Sequence, residues 1–88
     1  MNVEQASKLI MYPYMTEKTL GLVEKENKLI FIVHDDADKR SIKEAMKVLY
    51  EIDVYKVNTA RTIYGKKAFV KLKEDGAARD LATKLGLV

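Results

Sequence analysis

Six basic side chains and no carboxylate occupy residues 54–73. The whole chain has 16 basic and 13 acidic residues, so the rest of it holds 10 basic and 13 acidic residues, and the positive charge is concentrated in this one segment. Lysine and arginine neutralise phosphates and release the counterions that surround a polyanion. The charge distribution therefore predicts a polyanion-binding surface, and a sequence pI of about 9.1 agrees with it.

The basic segment is predicted to form a β-hairpin, with strands at 54–63 and 67–73 and a tight turn at Gly65. Strand alternation divides the second strand into an apolar face and a basic face with one aromatic ring. The apolar face consists of Ala68, Val70 and Leu72, and the basic face of Lys67, Phe69, Lys71 and Lys73. The alternative is a solvated face that only keeps the protein soluble. The lack of any carboxylate in the segment argues against this alternative.

Other chemistries find little support in the residues. The single histidine, His34, precedes Asp35, Asp36 and Asp38, which would suit a metal, but a loop followed by a helix cap explains the same carboxylates. The chain has no cysteine, and its four glycines form no phosphate-binding loop. We therefore expect neither a metal nor a cofactor, and no enzymatic activity.

Length and composition predict one small folded domain over residues 1–88, because 48% of the residues are hydrophobic. No apolar run approaches the roughly 20 residues of a membrane span. The first residues do not resemble a signal peptide. These features predict a cytoplasmic protein that is a monomer when free.

The order of elements is predicted to be β-α-β-α-β-β-α, an α+β fold with helices packed on an antiparallel sheet of about four strands. Residues 1–7 are either a short helix or a frayed end. A strand over 9–12 stops at Pro13. Thr16 caps the next helix, and residues 29–33 form a central strand that is buried on both faces.

The second predicted helix covers 39–51, and Asp38 or Ser41 caps it, with Ser41 and Glu44 as a possible capping box. Its sheet-facing residues follow helical spacing. They are Ile42, Ala45, Met46 and Leu49. Asp75 is predicted to cap a last helix that ends at Gly86.

Part of the hairpin is similar to an RNA-recognition module, because Ala68-Phe69-Val70-x-Leu72 matches half of its strand motif. Lys67, however, occupies a position where that module has a stacking aromatic residue. Stacking by paired aromatic residues is therefore not predicted. The tyrosines at positions 12, 14, 55 and 64 are interpreted as edges of the core. A free RNA-binding regulator and a protein-interaction module without an RNA role remain alternatives.

Several segments together resemble one protein family. The first is Tyr12-Pro13-Tyr14-Met15-Thr16-Glu17-Lys18-Thr19, which looks like a Pro-x-x-Thr/Ser-Glu-Lys signature. Next come Phe31-x-Val33 with Ala37-Asp38-Lys39 and Ile42-Lys43, and then Val54-x-x-Val57-Asn58-Thr59 with Lys66-Lys67-Ala68-Phe69-Val70-x-Leu72. The order and spacing over 9–73 resemble the L23 family of large-subunit ribosomal proteins. The turn at Tyr64-Gly65-Lys66 lacks the long extension of bacterial members, so the chain resembles the archaeal type.

The resemblance implies binding to large-subunit rRNA at the rim of the polypeptide exit tunnel, and therefore a place in cytoplasmic ribosomes. It also implies a neighbouring large-subunit ribosomal protein, and docking of the signal recognition particle and the protein-conducting channel. Charge and hydrogen-bonding capacity select the candidate rRNA contacts. They are Lys18, Lys39, Lys56, Asn58, Thr59, Arg61, Lys66, Lys67 and Lys71. The carboxylates elsewhere, including those near His34, are expected on the opposite, solvent or protein-docking side.

Overall fold

The computed structural model describes residues 1–87 and contains one four-stranded antiparallel sheet with four helices. The elements in chain order are α1 (Val3–Leu9), β1 (Ile10–Pro13), α2 (Glu17–Glu26), β2 (Lys28–Val33), α3 (Lys39–Tyr50), β3 (Val54–Thr62), β4 (Gly65–Leu72) and α4 (Ala77–Lys84). The strands lie in the order β1-β2-β4-β3. The predicted α+β class and antiparallel sheet are confirmed, and the N-terminal segment adds a helix to the predicted order.

The central strand β2 is buried along five of its six residues, as its unbroken apolar run predicts. Leu29, Phe31 and Val33 join the main core, which also contains the buried hydrophobic residues of all four helices. Ile30 and Ile32 point to the other face of the sheet, where they are only 4% and 2% exposed. All four helices therefore pack on one face of the sheet, and within residues 1–87 the other face carries no helix.

Helix α3 supplies most of the helical core, because Ile42, Ala45 and Met46 are completely buried. Leu49 packs against this core, as its predicted sheet-facing position requires, but it is only half-buried. The helix ends at Tyr50 and is followed by Glu51, whose φ of 56° is left-handed.

The N-terminal capping residues of α2 and α3 are Thr16 and Asp38, and both are predicted from the sequence. Thr16 Oγ1 accepts the amide of Thr19, and Asp38 Oδ1 accepts the amide of Ser41 at 2.7 Å. In return, the side-chain oxygen of the third helical residue accepts a hydrogen bond from the backbone amide of the capping residue, so the capping box of α3 pairs Asp38 with Ser41. The predicted box of Ser41 with Glu44 is wrong, because Ser41 already lies in the first turn.

Helix α4 is capped by a residue from a distant part of the chain. Gly76 precedes the helix and Asp75 makes no cap, so the prediction for Asp75 is wrong. Instead, Asn27 Oδ1 accepts the amide of Ala78 at 2.9 Å. The Nδ2 group of Asn27 donates to the carbonyls of Leu72 at 3.1 Å and Glu74 at 2.7 Å. Asn27 therefore joins the end of α2 to β4 and α4.

Asn27→Ala is expected to lower the free energy of unfolding by roughly 2–4 kcal/mol, because three side-chain hydrogen bonds are lost at about 0.5–1.5 kcal/mol each. The left-handed φ of 55° at this position adds strain in the variant. Asn58→Ala, on an exposed strand position, is the matched control and should change stability by no more than about 0.5 kcal/mol. Equal urea midpoints for the two variants would contradict the role of Asn27.

The hydrogen bonds from the backbone and hydroxyl of Ser41 hold the pKa of the Asp38 carboxyl below its ordinary value. Because the folded pKa is depressed, this contribution is present above the ordinary pKa of about 3.9 and is lost as the pH falls through the folded value. Asp38→Asn keeps a capping oxygen that does not titrate. The stability advantage of the wild type over Asp38→Asn should therefore shrink between about pH 5 and pH 2, and a pH-independent difference in urea unfolding would contradict the cap.

Candidate nucleic-acid interface

The helix-free side of the sheet, here called the open face, carries aromatic and basic side chains and no carboxylate at its strand positions. Register and alternation assign its members. They are Tyr12 and the adjoining Tyr14, then Lys28, Ile30 and Ile32, then Lys67, Phe69 and Lys71, and finally Lys56, Asn58 and Ala60. This composition produces a positively charged surface that is rich in flat apolar groups, as nucleic-acid-binding surfaces are.

Three lysines form a row across one end of the open face. Lys71 on β4 pairs in register with Lys28 on β2 and with Lys56 on β3. Like charges directly opposite each other destabilise a sheet. Only Lys28 has a nearby carboxylate among the described salt bridges, with its Nζ 3.2 Å from Glu26 Oε1. The row is therefore suited to bind an anion that neutralises its charge.

Lys67 lies at the other end of the open face, between two tyrosine rings. Its Nζ is 3.8 Å from the centre of the Tyr14 ring and 5.9 Å from that of Tyr64. The two ring centres are 6.2 Å apart. These cation–π contacts fix the direction of the Lys67 side chain and connect the start of the sheet to the hairpin turn.

Not all of the predicted contact residues share this face. Lys56, Asn58, Lys67 and Lys71 lie on it, whereas Thr59, Arg61 and Lys66 belong to the helix side of the hairpin. Lys18 and Lys39 are exposed in the first turns of α2 and α3. The predicted set is therefore distributed over the sheet, the hairpin and the starts of two helices.

Arg61 and Lys66 contact the loop that follows β2. Arg61 Nη1 lies 3.4 Å from Asp35 Oδ1, and Lys66 Nζ donates to the carbonyls of Ala37 and Asp35. The expectation that the aspartates near His34 lie away from the basic hairpin is therefore wrong for Asp35. These contacts hold the turn end of the hairpin against the rest of the fold.

Sequence reasoning missed two parts of the open face. Lys28 lies outside the basic segment, and only strand register brings it beside Lys71. Tyr14 and Tyr64 are far apart in the chain, and no local pattern connects them. A signal for Lys28 existed, because strand alternation from Ile30 places it on the same face.

The structure of residues 1–87 gives no further support to a metal site or a membrane-spanning helix. The described part of the chain contains no group of three or more histidine, cysteine or carboxylate residues that could hold a metal ion. His34 Nδ1 instead accepts the amide of Asp36 at 3.1 Å. None of the helices in this range is long and apolar enough to cross a membrane.

An antiparallel sheet with helices on one side and a basic, aromatic open face is typical of small α+β proteins that bind RNA. The model of the family described as "Ribosomal protein L23" matches residues 8–71. The chain therefore belongs to the ribosomal protein L23 family. Family membership confirms a structural protein of the ribosome rather than an enzyme.

Two relatives are each named "Large ribosomal subunit protein uL23". One comes from Methanobrevibacter smithii and the other from Methanococcus vannielii, and both are 45% identical to the chain over 80 residues. Each alignment covers 90% of this chain and 93% of the relative, so the proteins are of nearly equal length. The short hairpin, closed between Thr62 and Gly65, agrees with the predicted archaeal type.

Proposed function

We propose that the chain is a structural component of the large ribosomal subunit and binds large-subunit rRNA mainly through the open face. The observation that carries this proposal is the 45% identity to two large-subunit proteins over 90% of the chain. The open face supports it, because lysines neutralise phosphates and Asn58 can hydrogen-bond to riboses and phosphates. The location that follows is the cytoplasmic ribosome.

The proposed rRNA contacts fall into two groups. The lysine row and Lys67 bind phosphates from the open face, together with Asn58. Thr59, Arg61 and Lys66 on the hairpin, with Lys18 and Lys39 at the helix starts, extend the contact around the edge of the sheet. Arg61 and Lys66 already have partners in the folded chain, so their first effect is to hold the hairpin in place.

We further propose that the chain lies at the rim of the polypeptide exit tunnel, beside a second ribosomal protein, where the signal recognition particle and the protein-conducting channel dock. This part rests on the resemblance of the chain to its family. A groove between the end of α3 and α4 supports it, because apolar side chains such as Leu49 and Leu85 line the groove beside the carboxylates Glu51, Glu74 and Asp80. The groove belongs to the helix side, so rRNA on the open face would leave it free.

Lys56→Ala with Lys71→Ala is expected to weaken rRNA binding and to reduce the salt dependence by at most two phosphate contacts, about 0.7–0.9 log units per contact. Removing both charges also relieves repulsion in the sheet, so folding should be retained. The variant should sediment less with large subunits than the tagged wild type does as salt increases.

The matched control is Lys43→Ala with Lys84→Ala, which removes two exposed lysines from the helix side. It should leave binding and salt slope nearly unchanged. A larger loss in this control than in the open-face variant would contradict the assignment of the face. Wild-type protein that does not sediment with large subunits at all would contradict the ribosomal role.

Glu74→Lys with Asp80→Lys is expected to reduce docking of the signal recognition particle on purified large subunits, because the groove loses two negative charges and gains two positive ones. The measurement is co-sedimentation of the particle with subunits that have incorporated each variant. Glu4→Lys with Glu24→Lys makes the same charge change elsewhere on the helices and serves as the control. Equal docking by both variants would contradict the groove as the docking surface.

A further inference from the structure

A cleft of about 260 Å³ opens at the turn end of the open face. Tyr12, Ile32 and Tyr64 are among the residues that line it. Gly65 lines it too, and a Cβ on this residue would lie 3.6 Å from Ile32 Cγ2. Ile32 is only 2% exposed, so it forms the buried floor of the cleft beneath the tyrosine rings. The cleft is slightly smaller than the roughly 300–1,000 Å³ of sites for whole drug-sized ligands, so it suits one planar group.

The rings around the cleft are unusually accessible for aromatic side chains. Tyr12 is 49% exposed and Tyr64 is 63% exposed. Tyr14 lies beside Tyr64, with an angle of 37° between the ring planes. Lys67 lies against the Tyr14 ring and adds a positive charge at the edge of this group. The cation therefore lies beside the aromatic surface of the cleft, and the carboxylate of Asp35, which also lines the cleft, is paired with Arg61 at 3.4 Å.

We propose that this cleft binds one unpaired RNA base, which stacks on Tyr64 while Lys67 neutralises a neighbouring phosphate. The proposal rests on the proposed function and deepens it by naming the kind of RNA that this end of the face binds. A duplex keeps its bases stacked inside and presents mainly phosphates and riboses. A ring beside a cation matches an unpaired nucleotide, which offers a base and a phosphate together.

Strand geometry supports this assignment over a purely electrostatic role. The lysine row at the other end of the open face has the charge needed for phosphates, and one tyrosine, Tyr55, lies beside it in the bulge of β3. On the open face, the turn end has one lysine, Lys67, at its register positions, together with the three tyrosines Tyr12, Tyr14 and Tyr64. The two ends of the open face therefore bind different parts of the RNA in this proposal. The lysine row binds the phosphate backbone, and the cleft binds a base.

The test uses the full chain and two RNA probes, an oligoadenylate of about ten nucleotides and a duplex of similar length, a size within the usual footprint of a single-stranded binding site. Tyr64→Ala should weaken oligoadenylate binding roughly 5- to 150-fold, the range for loss of one stacked base. It should leave duplex binding within about twofold and the salt slope unchanged, because no charge is removed. Tyr64→Phe keeps the ring and should retain binding.

Tyr55→Ala is the matched control, since Tyr55 is 62% exposed but lies at the other end of β3. It should leave oligoadenylate binding nearly unchanged. Because the chain has five tyrosines and no tryptophan, tyrosine fluorescence offers a second readout. Stacking should quench this emission in the wild type, and Tyr64→Ala should show less quenching.

Equal losses in Tyr64→Ala and Tyr55→Ala, or equal losses for both probes, would overturn the base site. If Tyr64→Ala changes the binding of neither probe, the base site is also overturned, and the cleft would instead be a contact surface for a neighbouring protein. Wild-type protein that binds neither probe would overturn it as well. These outcomes leave the ribosomal role standing, because that role is tested separately by sedimentation of the wild type with large subunits.

Discussion

The fold depends on burying both faces of β2 when helices cover only one of them. Ile30 and Ile32 point away from the helices and are nevertheless almost completely buried. Burial of an isoleucine side chain contributes about 1.5–3 kcal/mol, so their cover matters for stability. That cover must come from the neighbouring strands, where Ile30 is in register with Phe69 and Ile32 with Lys67. The stem of a lysine can cover an apolar neighbour while its ammonium group stays in water.

This constraint explains why the candidate RNA surface is also part of the folded core. Phe69 and Lys67 shield the central strand and at the same time form the surface that a ligand meets. A second set of contacts fixes the turn end of the hairpin, because Lys66 and Arg61 are attached to the loop after β2. Asn27 fixes the opposite end of β4 through its bond to Leu72. A surface held at both ends loses little conformational entropy on binding, which favours affinity.

The parts of the fold that the sequence predicts are those specified by short-range patterns. The apolar run of β2 predicts a central strand, the hydroxyl of Thr16 predicts a helix start, and alternation along β4 predicts a basic face. The parts it does not predict depend on residues that are distant in the chain. Asn27 caps α4 in place of the adjacent Asp75, and Tyr14 meets Tyr64, because the tertiary fold brings them together. The contacts of Arg61 and Lys66 could not be predicted either, because the charge pattern does not reveal that both side chains contact the loop after β2.

The proposed phosphate-binding role of the lysine row would account for a local conflict in the structure. Lys28, Lys71 and Lys56 occupy opposing positions on three adjacent strands, where like charges repel. A sheet selected for stability alone would place opposite charges there, and the chain has 13 acidic residues with which to do so. A polyanion removes the repulsion and adds attraction, so its binding free energy includes the relief of a penalty that the free protein carries. For this reason the row is stronger evidence for a phosphate-binding surface than the overall charge of +3, which many soluble proteins carry without binding RNA.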